Sequence, residues 1–130
     1  MIEVTFDPHR KLVRTVMGGM LTTTDVESFS REKQQAVEKM GLNSGEFLLL
    51  IETRGSVVQS QEVVAAFQNL LLNSPLKAKR IATVRAGALS TLQTRRIVAV
   101  RDSARVFETV GDAEAWLFDD KPSRECAIDR

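Results

Sequence analysis

The 130-residue chain is short enough for one domain and long enough to bury a substantial core. Its 18 basic and 17 acidic residues give a formal net charge of +1, which excludes a chain-wide attraction to nucleic acids or membranes. A single cysteine excludes an intrachain disulfide and a cysteine metal cluster, and no apolar run is long enough to span a bilayer.

The first half of the chain predicts a hairpin, a helix and a buried strand. Residues 2–6 alternate apolar and polar side chains, and residues 12–17 form a second strand after a turn that contains proline. The sequence TDVE at residues 24–27 fits a capping box and predicts a helix start. Gly41 is a natural helix end, and the apolar run 47–51 is typical of a strand covered on both faces.

The second half predicts three further helices with strands between them. Apolar residues at helical spacing over 63–71 indicate an amphipathic helix, and residues 79–85 indicate another inner strand. A helix is expected over 88–101 and a short strand over 104–107. Asp112 is the expected cap of the last helix. We expect residues 1–120 to form the single domain and residues 121–130 to form a mobile tail.

The resulting order of elements is β-β-α-β-α-β-α-β-α. Alternating strands and helices imply a mostly parallel sheet with helices packed on it, and the opening hairpin adds an antiparallel pair. The sequence therefore predicts an α/β fold with a mixed, mostly parallel sheet of four to five strands and four helices.

Three stretches of the sequence resemble the STAS domain, the fold of the anti-sigma-factor antagonists. They are GGMLTTTDVESF at residues 18–29, KRIATVRAGALSTLQTRR at 79–96 and RVFETVGDAEAWL at 105–117. The resemblance covers about residues 2–119. It implies a STAS-like α/β fold and a regulatory or protein-interaction module that is not an enzyme.

The resemblance also implies the position of a functional loop. Regulatory STAS domains carry Asp-Ser-Ser or Asp-Ser-Thr between the third strand and the second helix, and a partner kinase phosphorylates the serine. The matching positions here are Ser60, Gln61 and Glu62, so serine replaces the aspartate and glutamine replaces the phospho-acceptor. The chain is more similar to STAS-like proteins of unassigned function. Some of these are discussed beside the CRAL-TRIO lipid-binding fold, which implies a small apolar or amphipathic ligand as the alternative.

The sequence ETRGSVVQSQE at residues 52–62 places polar groups between a buried strand and a helix. Ser60 fits a helix N-cap, and Glu62 suits the positive end of the helix dipole, so a capped turn is the favoured interpretation. The alternative is a loop that binds a partner or an anionic ligand, because helix starts attract anions. Its candidate residues are Arg54, Gly55, Ser56 and Ser60.

A basic segment extends over residues 77–105, in which Asp102 is the single acid. A solvated helix face is the simpler interpretation, and a basic surface formed by Arg85, Arg95 and Arg96 for an acidic partner is the functional one. Adjacent residues on a helix point about 100° apart, so we expect either Arg95 or Arg96 to tilt toward the apolar face. Nucleic acid is not expected as a partner, because no recognition motif is present.

Common catalytic arrangements are missing from the sequence. The one histidine, His9, follows a proline in the hairpin turn, and Cys126 lies in the expected tail. No motif for a nucleophile or a metal is present, so we expect a protein that is not an enzyme and uses no cofactor or metal. The N-terminal residues do not have the basic start and apolar run of a secretory signal, and no apolar run spans a bilayer, so we expect a cytoplasmic protein. The three leucines at 70–72 cannot all face one sheet. Their extra apolar surface favours a homodimer, another protein partner or a small apolar ligand.

Overall fold

The computed structural model describes residues 1–55, 57–85 and 88–119, apart from the side chains of Ala88 and Leu89. The described residues form five strands and four helices in the predicted order, so the predicted α/β fold is confirmed with a five-stranded sheet. The predicted tail, residues 121–130, lies outside the described residues. The elements are β1 (Ile2–Asp7), β2 (Leu12–Gly18), α1 (Thr23–Lys39), β3 (Leu48–Arg54), α2 (Gln61–Asn73), β4 (Arg80–Val84), α3 (Ala88–Val98), β5 (Ala104–Phe107) and α4 (Val110–Leu117).

The strand order across the sheet is β1-β2-β3-β4-β5. β1 pairs antiparallel with β2, and the other three pairs are parallel. Each crossover from β2 onward moves one strand in the same direction, so right-handed connections place α1, α2 and α3 on one face of the sheet. α4 follows the last strand and packs on the opposite face. No helix in the described part of the chain is long and apolar enough to cross a bilayer.

Alternate strand residues feed two cores on the two faces of the sheet. On β3, Leu49 and Ile51 pack under α1–α3, whereas Leu50 packs against α4. Leu49 and Leu50 are both almost fully buried although they point in opposite directions. The apolar run at 47–51 is therefore a strand covered on both faces, as its sequence predicted.

Two helix caps differ from the prediction. Thr22 caps α1: its hydroxyl accepts from the Asp25 N–H, and the Asp25 carboxylate accepts from the Thr22 N–H. The capping box therefore begins two residues before the predicted one at 24–27. Thr109, not Asp112, caps α4 by accepting from the Asp112 N–H. In both helices the cap is a threonine with extended backbone, three residues before an aspartate, which is the spacing that a capping box requires.

Candidate functional site

A cavity of about 60 Å³ lies between the sheet and helices α1–α3, near the end where the parallel strands β2, β3 and β4 finish. Met17, Ile51 and Thr83 line it from the strands, and Phe29 and Leu71 line it from the helices. Most of the lining is apolar, and the cavity is partly open to solvent. A volume of this size accommodates about four water molecules at roughly 15 Å³ each.

The cavity occupies the part of an α/β fold where ligands usually bind, outside the carboxyl ends of the strands. The strand order does not reverse, so the site is not the crevice of a doubly wound sheet. It lies instead under the helices that cover one face. Polar side chains also line it, and they are Thr53, Arg54, Gln59, Thr83, Arg85, Gln93 and Thr94.

Two buried glutamines fix one side of the cavity. The Gln59 N–H donates to Oε1 of Gln93 at 2.7 Å, and Nε2 of Gln93 donates to the Gln59 carbonyl at 2.8 Å. The Gln59 side chain in turn accepts from the Leu21 N–H at 2.8 Å and donates to the Gly19 carbonyl at 3.0 Å. Every polar group of both side chains has a partner. The network therefore rigidly joins three parts of the chain: the β2–α1 loop, the segment that precedes α2, and helix α3.

Arg85 follows β4 directly and lies on the cavity side of the sheet. Its exposed fraction is 9%, and one guanidinium Nη donates to the Val57 carbonyl. The buried Nε has no hydrogen-bond partner among the residues that the structure describes. Among the described residues no carboxylate forms an ion pair with it. Burial lowers the pKa of the Arg85 guanidinium below its usual value. An enclosed charge without a counterion is costly.

Only part of the loop that the sequence predicted as a binding site lies at the cavity. Arg54 lines the cavity from the end of β3. Gly55 is exposed and adopts a φ of 80°, which glycine tolerates best. Ser60 is the N-cap of α2 and accepts from the Val63 N–H at 3.2 Å, as the capped-turn interpretation predicted. Ser56 lies outside the described residues. The binding role of this loop stays a prediction.

The three arginines of the predicted basic surface do not share one exposed face, because one of them is buried. Arg85 is enclosed beside the cavity, whereas Arg95 and Arg96 are both exposed in the last turn of α3. The expectation that Arg95 or Arg96 tilts inward is therefore wrong. Gln93, Thr94 and Val98 occupy the buried face of α3. Arg95 and Arg96 both lie on the exposed face of α3, because the buried face of this helix is narrow.

A second buried cation lies at the other end of α2, away from the cavity. Lys33 on α1 is almost fully buried, and its Nζ donates to the Ser74 hydroxyl at 3.0 Å and to the Leu76 carbonyl at 3.3 Å. Burial, and to a smaller extent the charge of Arg101, lower the Lys33 pKa from 10.5 to about 8. The ammonium supports the C-terminal end of α2, where a positive charge is favourable.

Sequence reasoning missed most of this site. Gln59 lies in a polar segment that shows no periodicity, and nothing in the sequence identifies its partners. Gln93 gave a signal, since it falls among apolar residues on the buried face of α3. A glutamine on an apolar face requires internal hydrogen bonds. The burial of Arg85 follows from three helices covering the same face, which the order of elements alone does not reveal.

Groups suited to catalysis are not gathered at the cavity. His9 is exposed in the β1–β2 turn, where its backbone N–H donates to the Asp7 carboxylate at 3.0 Å. Cys126 lies outside the described residues. Within residues 1–55, 57–85 and 88–119, no group of three His, Cys, Asp or Glu side chains is placed to hold a metal ion.

Comparisons with known proteins establish the fold. No family model and no curated protein matches the chain. A solved structure that matches is an uncharacterised protein of the DUF3478 family with a SpoIIAA-like fold from Shewanella loihica PV-4. The two chains are 21% identical with a TM-score of 0.59, and the match covers 89% of this chain and 93% of that one. The chain therefore has a SpoIIAA-like fold, which confirms the STAS-like resemblance at the level of the fold.

Proposed function

We propose that the protein is a non-enzymatic binding module that holds a small, largely apolar ligand in the cavity between the sheet and α1–α3. The cavity carries this proposal, because it is a largely apolar space between the sheet and the helices that is partly open to solvent. We place ligand binding ahead of the protein-interaction function, which was the first interpretation of the sequence. The expected cytoplasmic location stays a prediction.

The energetics of packing support a ligand at this position. Protein interiors are close-packed, and voids larger than a water molecule are few. At about 24 cal/mol per Å³, an unfilled 60 Å³ cavity corresponds to roughly 1.4 kcal/mol of lost stability. The Gln59–Gln93 network holds the surrounding segments in place without help from a ligand. A preformed apolar pocket with a few fixed polar groups is typical of small-molecule sites.

The chemistry of the lining supports binding without catalysis. The described residues that line the cavity include arginine, glutamine and threonine but no histidine, carboxylate, lysine or cysteine. General acid–base catalysis needs a group that exchanges a proton near neutral pH. Arginine, glutamine and threonine hold and orient a ligand but do not supply such a group.

The test compares two neighbouring leucines on α2. Leu71 is buried and lines the cavity, whereas Leu72 is 48% exposed. We expect xenon to produce saturable shifts in the methyl NMR signals of lining residues such as Ile51. Leu71→Phe should abolish these shifts by filling the cavity, and Leu72→Phe should retain them. Absence of saturable shifts in the wild-type protein, or equal loss in both variants, would contradict the proposal.

A second candidate function is a protein-interaction surface beside the cavity. Met20, Val58 and Leu92 are large apolar side chains that are 44–67% exposed. Each directly precedes Leu21, Gln59 or Gln93, the three residues that hydrogen bonds join, so the backbones of the three lie near one another. Exposed apolar side chains on neighbouring segments favour a second copy of the chain or another protein.

Sedimentation equilibrium tests the second candidate. The expected result is a dimer that Leu92→Ser weakens, while Leu72→Ser, which removes an exposed leucine elsewhere, leaves it unchanged. A monomer at all concentrations would exclude the homodimer. It would leave a different protein partner as the remaining form of this function.

A further inference from the structure

Arg85 is the feature of the cavity that an apolar ligand does not explain. A purely apolar compound would leave the buried guanidinium without a counterion and its Nε without a partner. Methionine or leucine at this position would provide a cavity of the same character at a lower desolvation cost. The arginine therefore indicates that the ligand itself carries a complementary charge.

One hydrogen bond holds the guanidinium of Arg85, and a second holds its main chain. One Nη donates to the Val57 carbonyl, and Val57 lies two residues before Gln59, whose backbone is held by Gln93. The backbone N–H of Arg85 donates to the Phe107 carbonyl of β5 at 2.9 Å, which holds the main chain at this position. The guanidinium is thus held by its bond to Val57, and no described residue accepts from its Nε–H, which is the arrangement of a preformed site for a hydrogen-bond acceptor.

The acceptor is best matched by a carboxylate. An Nε–H and a neighbouring Nη N–H of a guanidinium point the same way and pair with the two oxygens of a carboxylate. No acidic side chain is among the described residues that line the cavity, so a bound anion meets no like charge there. The surrounding apolar side chains suit a hydrocarbon chain, which an organic acid carries beside its carboxylate and inorganic phosphate does not.

We propose that Arg85 is the anion-binding group of the cavity and that the ligand is a short-chain organic acid. Its carboxylate accepts from Nε of Arg85, and its apolar chain lies against residues such as Ile51 and Leu71. The cavity of about 60 Å³ limits the enclosed part to a few carbon atoms, and a longer chain extends through the opening. This inference rests on the proposed ligand-binding function and specifies the chemical class of the ligand.

The first experiment compares butanoate with butan-1-ol, which share the chain and differ in the charge. In NMR titrations of the wild-type protein at neutral pH, we expect butanoate to bind roughly tenfold more tightly or better, as a charged hydrogen bond implies. Butanoate should also shift the Arg85 Nε–H signal downfield, whereas butan-1-ol should leave it in place. This readout needs no variant.

Substitutions then test whether Arg85 causes the preference for butanoate over butan-1-ol. Arg85→Met should bring the two affinities within about twofold of each other while xenon binding persists, and Arg85→Lys should restore part of the preference. Arg95→Met is the control, because Arg95 is an exposed arginine that does not line the cavity. It should retain the full preference.

The possible outcomes separate this inference from the function on which it rests. Binding of xenon and butan-1-ol without any preference for butanoate would overturn the acid and leave the apolar cavity function in place. Failure of all three probes would overturn both. A larger response of the Arg85 Nε–H signal to inorganic phosphate than to butanoate would replace the carboxylate with a phosphate and so overturn the assignment.

Discussion

The side-chain amide of Gln93 pairs with both backbone groups of Gln59, much as one strand pairs with another. The two hydrogen bonds are 2.7 and 2.8 Å long and join residues that are 34 positions apart. Both glutamines are 8% exposed, so water does not readily replace either bond. The pair therefore holds the segment before α2 against α3 and keeps one side of the cavity in place.

Gln93→Leu should be strongly destabilising, because it leaves the buried N–H and carbonyl of Gln59 without partners. Each unpaired buried group costs about 1–3 kcal/mol, so we expect the two together to lower the free energy of unfolding by roughly 2–6 kcal/mol. Urea denaturation measures this change. The control is Gln35→Leu on the exposed side of α1, for which we expect a change within about 0.5 kcal/mol. Similar losses in both variants would show that the pairing has no special role.

Arg85→Met should leave the stability of the protein without added ligand unchanged within about 1 kcal/mol, or raise it. The substitution removes a buried charge that has no counterion among the described residues, and this gain offsets the lost bond to the Val57 carbonyl. Thermal and urea denaturation measure the effect. A loss of several kcal/mol would mean that Arg85 is a structural residue.

Arg80 provides the matched comparison, because it begins β4 and Arg85 follows the end of the same strand. It is also buried, but it lies on the opposite face, where its guanidinium is 5.3 Å from the centre of the Trp116 ring and donates to the Trp116 carbonyl. Arg80→Met should therefore lower the free energy of unfolding by about 1–3 kcal/mol. The unfolding free energies of the two variants together distinguish an arginine that stabilises the fold from one whose role is to bind a ligand.

Lys33 should make stability depend on pH in the alkaline range. Its folded pKa is lowered from 10.5 to about 8, so between these values the unfolded chain binds more protons than the folded one. Stability should therefore rise as pH increases from about 8 to about 10.5, by at most about 3 kcal/mol from this group. Urea midpoints at several pH values measure the rise. Lys33→Met should remove it, and an identical pH profile in this variant would refute the assignment.

Ser60→Ala tests whether the predicted loop acts only as a helix cap. Loss of the acceptor for the Val63 N–H should cost about 1 kcal/mol, and Ser60→Asp should retain most of the stability because aspartate caps equally well. Butanoate affinity should be unchanged in both variants, since Ser60 does not line the cavity. A loss of affinity that exceeds the loss of stability would restore Ser60 as a binding residue.

The sequence by itself determined the order and type of the elements and, through its resemblance to STAS domains, the fold. This succeeded because hydrophobic periodicity and turn residues act over a few neighbouring positions. The apolar run at 47–51 and the cap at Ser60 are examples, since each depends on adjacent residues alone. The cap of α1 was misplaced for an equally local reason: three consecutive threonines, Thr22 to Thr24, offer the same hydroxyl, and only Thr22 has the required spacing to Asp25.

Only the tertiary structure decided which polar residues form the candidate site. Arg85 and Arg95 are alike in sequence, yet the first is enclosed by elements that the fold brings around it and the second faces solvent. The bonds of Gln59 to Gln93 and of Lys33 to Ser74 join residues 34 and 41 positions apart. Desolvation and hydrogen-bond pairing depend on such distant neighbours, so no local pattern in the chain specifies them.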